Sequence, residues 1–110
     1  MANFQSAGGG GVPVSASIIG ASNPSISNVA LATANTEVAI VLPSNTRKYM
    51  LKLRDPNTMK LAFIVGNSGT TYLTVWPGCV YTESDISATG TTIYVQSPTA
   101  SQVVELVVWT

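Results

Sequence analysis

From residue 35 onward the chain is a succession of short runs in which apolar and polar side chains alternate, and this period of two constrains the fold most. Residues 37–42 set Val38, Ile40 and Leu42 on one side. Residues 47–54 set Tyr49, Leu51 and Leu53 on one side and Lys48, Met50, Lys52 and Arg54 on the other. Leu61, Phe63 and Val65 predict a third buried face, and residues 71–76, 79–83, 91–96 and 102–109 give four more runs. Between them lie Pro43-Ser44-Asn45-Thr46, Asp55-Pro56-Asn57-Thr58, Gly66-Asn67-Ser68-Gly69, Pro77-Gly78 and Ser97-Pro98, each rich in turn-forming residues. No segment sustains a helical period. The pattern predicts an all-β chain: a small antiparallel β-sandwich of jelly-roll or immunoglobulin-like type, with about 7–8 strands. A chain of 110 residues is one domain.

Residues 1–34 differ in kind. Ala7-Gly8-Gly9-Gly10-Gly11-Val12-Pro13 and Gly20-Ala21-Ser22-Asn23-Pro24-Ser25 are Gly-, Ser- and Pro-rich, and no charged side chain occurs before Glu37. Such a stretch buries little surface, so we expect an extended N-terminal arm over residues 1–34 and the sandwich over 35–110. Glycine loses the most entropy on ordering, so the arm is expected to order only against a neighbour. Its Val12, Val14, Ile18, Ile19 and Ile26 suit an extended strand lying on some surface.

Charge narrows the function. Only 9% of residues are charged, five basic against five acidic with no His, where an ordinary soluble domain carries about a quarter. A polyanion binder needs an excess of Lys and Arg, so nucleic acid is not an expected partner. A neutral, charge-poor surface is weakly protected against association, which suits a protein that works inside an assembly. Cys79 is alone, so a disulfide framework is excluded. The first six residues lack the basic and apolar regions of a signal peptide, and the longest apolar run, Leu61-Ala62-Phe63-Ile64-Val65, falls far short of a membrane span. Synthesis in a reducing cytosol and no membrane association are the expectations.

Catalytic parts are scarce. Without His, imidazole-based triads and His metal sites are impossible, and one Cys makes no thiolate cluster. Cys79 is expected to pack as a small buried hydrophobe. The five acids, Glu37, Asp55, Glu83, Asp85 and Glu105, are dispersed, and Glu83 with Asp85 fits a polar turn better than a cation site. Gly8 to Gly11 lacks the Lys-Ser/Thr of a phosphate loop. No catalytic residue, metal or cofactor is expected.

Arg47, Lys48, Lys52, Arg54 and Lys60 all fall within residues 47–60. If the strands flanking Asp55-Pro56 pair with each other, Leu53 faces Leu61, Leu51 faces Phe63, and Arg54 sits opposite Lys60. If the preceding strand pairs Leu42 with Tyr49, Glu37 lands opposite Arg54. The result is a partly neutralised basic patch, either a solvated outer face or a contact for an acidic protein surface. Trp76, Trp109, Tyr72, Tyr81 and Tyr94 offer stacking platforms for sugar rings, but a sandwich this small is expected to keep its large side chains inside.

Several of these stretches together resemble a known group. Ala34-Asn35-Thr36-Glu37, Leu42-Pro43-Ser44-Asn45-Thr46-Arg47-Lys48, Gly66-Asn67-Ser68-Gly69-Thr70-Thr71-Tyr72, Thr92-Ile93-Tyr94-Val95-Gln96-Ser97 and the closing Val103-Val104-Glu105-Leu106-Val107-Val108-Trp109-Thr110 are similar to small β-sandwich virion proteins of tailed bacteriophages. The resemblance covers residues 34–110 and rests on turn and strand signatures. It implies a non-enzymatic virion component: a capsid decoration or cement protein, or alternatively a neck or tail accessory. A carbohydrate-binding module for a host surface is a further alternative. The expected partners are a major capsid protein or a connector or tail protein, and copies of itself. The contact residues we expect are Phe4, Val12, Val14, Ile18 and Ile19 on the arm, then Lys48, Lys52, Arg54, Lys60 and Trp109 on the sandwich.

Overall fold

A computed structural model describes residues 23–87 and 89–110. Among them are eight strands and no helix: β1 Pro24–Leu31, β2 Val38–Val41, β3 Lys48–Leu53, β4 Met59–Ala62, β5 Leu73–Val75, β6 Tyr81–Glu83, β7 Thr92–Gln96 and β8 Gln102–Trp109. They form two antiparallel sheets of four, ordered β1-β8-β3-β6 and β2-β7-β4-β5. The first strand pairs with the eighth, the second with the seventh, the third with the sixth and the fourth with the fifth. This nested pairing is the order of a jelly roll and not that of an immunoglobulin sandwich.

Alternation sets which side chains go inside. In β8, Gln102, Val104, Leu106 and Val108 are buried while Val103, Glu105, Val107 and Trp109 are half-buried on the outer face. In β3 the buried set is Tyr49, Leu51 and Leu53, as their spacing predicts. These meet Ile40, Leu61, Ile93 and Val95 from the second sheet in one apolar core. Each fully buried Leu, Ile or Val contributes about 1.5–3 kcal/mol relative to an exposed position. The buried polar groups have partners: Thr46 Oγ1 donates to Pro43 O at 2.6 Å, and Ser97 Oγ donates to Thr58 O at 2.7 Å.

Three expectations need correction. The segments around Asp55-Pro56 do not form a hairpin, because β3 and β4 lie in different sheets, as do β2 and β3. Arg54 is therefore not opposite Lys60, and Glu37 is not opposite Arg54. The jelly-roll winding sends every pair of successive strands except β4 and β5 to opposite layers, which the period of two cannot reveal. Secondly, β4 stops at Ala62, so Phe63 and Val65 are exposed and only Leu61 of the expected trio is buried. Thirdly, residues 24–31 of the expected arm are strand β1, paired with β8 along its whole length. The surface on which Ile26 lies extended is the chain's own sheet. Its side chain nevertheless points to solvent, 72% exposed. Phe4, Val12, Val14, Ile18 and Ile19 lie outside the described residues.

The sandwich has two margins. Where β1 leads through residues 32–37 into β2, Leu31 is 1% exposed, and Val29 and Val38 pack against the core. Where β5 leads through residues 76–80 into β6, both edge strands are three residues long. There Leu73, paired opposite the buried Leu61, is still 48% exposed.

Candidate interaction surface

The loop joining β4 to β5, residues 63–72, carries the densest group of exposed apolar side chains. Phe63, Ile64 and Val65 are 51%, 64% and 69% exposed, and Tyr72 and Leu73 continue the patch. Contiguous apolar surface of this kind marks contact sites more often than single exposed residues do.

Glu37, just ahead of β2, fixes the loop in place. Its Oε2 accepts from the Gly66 amide at 2.8 Å, and its Oε1 accepts from the Ser68 amide at 3.0 Å and the Ser68 hydroxyl at 2.5 Å. The Gln96 side-chain amide lies 3.1 Å from the same hydroxyl, and Ser68 is fully buried. The Ser68 hydroxyl first, and then the Gly66 amide, hold the Glu37 carboxyl below the usual carboxylate range. Gly66 has φ +84°, a left-handed conformation that glycine reaches without strain and that aims its N–H at the carboxylate. Asn67 N donates to Ile64 O at 3.1 Å and Thr71 N to Asn67 O at 2.9 Å, completing two tight turns. The apolar tip is thus held outward and cannot fold onto the sheet without breaking these bonds.

Beside the loop is a groove of about 370 Å³ lined mainly by Leu61, Phe63, Ile64, Tyr72 and Leu73. Its far wall continues through Phe63 to Tyr81, with ring centroids 6.3 Å apart, and from Tyr81 to Tyr49 at 6.1 Å. Burial, with smaller effects from Tyr81 and Glu83, pushes the Tyr49 phenol up.

The expected basic patch is divided. Lys52 Nζ lies 3.2 Å from Glu105 Oε1, and Arg54 Nε donates to Glu105 Oε2 at 2.9 Å, all on the outer face of the first sheet. The Arg54 and Lys52 bonds hold the Glu105 carboxyl below its ordinary value. Lys48 sits over the Trp109 ring, 4.7 Å from its centroid, on the same face. Lys60 belongs to the other sheet, where it covers Tyr72 at 4.8 Å. Lys48, Lys52, Arg54 and Trp109 are therefore neighbours, and Lys60 is not among them.

The aromatic and thiol expectations also need correction. Trp76 is 65% exposed because β5 ends at Val75 and the turn after it leaves the sheet, and Tyr72 is exposed in the loop just ahead of this edge strand. In that turn Cys79 N donates to Trp76 O at 2.9 Å, with Gly78 at φ +78°, a Pro-Gly turn of type II. The turn carries Cys79 to the surface, so it is exposed and not a core hydrophobe.

The exposed tip at Phe63, Ile64 and Val65 was missed by the period of two. Its signal was the loss of that period: Leu61-Ala62-Phe63-Ile64-Val65 is uninterruptedly apolar and runs straight into Gly66-Asn67. Among the described residues, no three His, Cys, Asp or Glu side chains gather as a metal site. No helix there is long and apolar enough to cross a membrane. In comparisons with family models, curated proteins and solved structures, none matches the chain.

Proposed function

We propose that this chain is a non-enzymatic structural protein of a bacteriophage virion, a capsid decoration or cement protein that docks through its N-terminal segment and stabilises the assembled particle. The observation that carries the reading is the apolar tip Phe63-Ile64-Val65, pinned outward by Glu37 on a chain with only five basic and five acidic residues. A loose apolar loop folds back on its own surface. One anchored in an exposed position gains its burial from another molecule, at about 25 cal/mol for each Å² covered. The jelly-roll sheets supply a rigid body for such contacts.

Mass spectrometry of purified particles tests the reading. Hundreds of copies per particle identify decoration, about a dozen identify a neck or tail accessory, and absence from particles refutes both. Removal of residues 1–22 leaves every described strand in place and is expected to release the protein from particles. Full occupancy by the shortened protein rules out docking through that segment.

The exposed indole of Trp76 favours a second reading, a carbohydrate-binding module for a host surface. It predicts binding on a glycan array that is lost in Trp76→Ala. A flat array removes it.

A further inference from the structure

We propose that the open β5–β6 margin is an acceptor site for a second copy of this chain, whose residues 12–19 lie as an added strand along β5. The inference rests on reading the chain as an assembly component.

The acceptor is defined by what is left uncovered. Leu73 points into the sandwich opposite Leu61, yet it is half exposed because β5 is the outermost strand of its sheet. The groove beside it is bounded by Phe63, Ile64, Tyr72 and Leu73, with Asn67 and Thr71 as its polar members and no charged residue in its lining. Among the described residues β5 pairs only with β4, so a strand laid about 4.8 Å from β5 takes its other backbone edge and covers Leu73 in one step.

The donor matches in pattern and charge. Val12-Pro13-Val14-Ser15-Ala16-Ser17-Ile18-Ile19 places Val12, Val14, Ala16 and Ile18 on one side and Pro13, Ser15, Ser17 and Ile19 on the other. Laid beside β5 with the first set inward, it extends the core past Leu73 and leaves the serines in water. Pro13 is tolerated because an added strand is itself an edge. Neither the groove's lining nor the donor segment contains a charged residue that would have to be buried.

Reach keeps the chain's own Ile18 and Ile19 off its β5, so a segment seated over the whole of residues 12–19 comes from a neighbour. Pro24 pairs with Trp109 on β8, in the sheet whose other edge is β6, so β1 and the open margin lie on opposite sides of the sandwich. Three strand spacings plus the gap between sheets separate them, about 17 Å in a straight line through the protein and more around it. The five peptide steps from Ile19 to Pro24 span at most about 17 Å fully extended, less than any path around the body, so Ile18 and Ile19 fall short of their own β5. A neighbour's segment has no such limit. The contact is head-to-tail, and repeated it closes a ring or extends a chain.

Complementation tests this directly. In light scattering after gel filtration, the full chain is expected to associate. A chain lacking residues 1–22 keeps the acceptor but has no donor, and Ile64→Asp keeps the donor but puts a charge on the groove. Ile64 is an exposed loop residue, so this variant is expected to fold, with circular dichroism as the check. Each variant alone is expected to be monomeric, or to associate at least about tenfold more weakly than the full chain. Mixed, the two are expected to form a 1:1 complex. No complex in the mixture, a monomeric full chain, or unchanged association of either variant overturns the proposal. Particle binding is scored separately. Binding to particles without self-association sinks the acceptor site and leaves the virion reading intact, whereas self-association in a protein absent from particles does the reverse.

Discussion

The two margins of the sandwich are built from similar side chains to opposite ends. On one, β1 runs eight residues along β8, Leu31 is sealed, and Val29 and Val38 complete the wall. On the other, β5 and β6 are three residues each, and Leu73, Phe63 and the Tyr81 ring stand at an unfinished edge. A small sandwich has limited apolar surface, and this one concentrates its closure on the side next to its N-terminal segment. Stability is therefore expected to depend on the first margin, and association on the second.

Leucine deletions sharpen that contrast most. Leu31→Ala empties a closed site and is expected to cost about 2–5 kcal/mol in urea unfolding. Leu73→Ala removes a side chain already half in water and is expected to cost under about 1.5 kcal/mol. Equal costs would break the comparison. Ser68→Ala removes a buried hydroxyl that holds Glu37, for about 1 kcal/mol, and amide exchange is expected to quicken in residues 64–71 while β8 is unchanged.

Acid acts on the same anchor. The folded chain holds the Glu37 carboxyl below its unfolded value, so the unfolded chain takes up a proton first as pH falls. The stabilisation is complete above about pH 4.3, the unperturbed value, and is lost as pH drops through the lower folded one. Protection factors of the β4–β5 loop amides, corrected for intrinsic exchange at each pH, are expected to fall across that range, and Glu37→Gln to abolish that fall. The smallest effect is that of Ile64→Ser, which is expected to shift stability by no more than about 0.5 kcal/mol while weakening self-association.

Much of this was legible in the sequence, for a definable reason. In β3 and β8 the strand pattern alone states which side chains enter the core: Tyr49, Leu51 and Leu53, then Val104, Leu106 and Val108. What a local pattern does not carry is the sheet to which a strand belongs. The hairpin expected around Asp55-Pro56 failed on that point, and with it the placement of Lys60 beside Arg54. β1 was hidden because Pro24-Ser25-Ile26-Ser27-Asn28 is composed like a linker and becomes a strand through β8. Trp76 was expected inside because of its size, but an edge strand that ends one residue earlier left nothing to cover it.

The register of β1 on β8 places Pro24 directly across from Trp109. Both ends of the folded body thus leave from one corner. Anything fused after Thr110 hangs where the leading segment departs, and a bulky tag there obstructs whatever that segment must reach. The turn between β7 and β8, residues 97–101, sits at the opposite pole, so a displayed peptide belongs there.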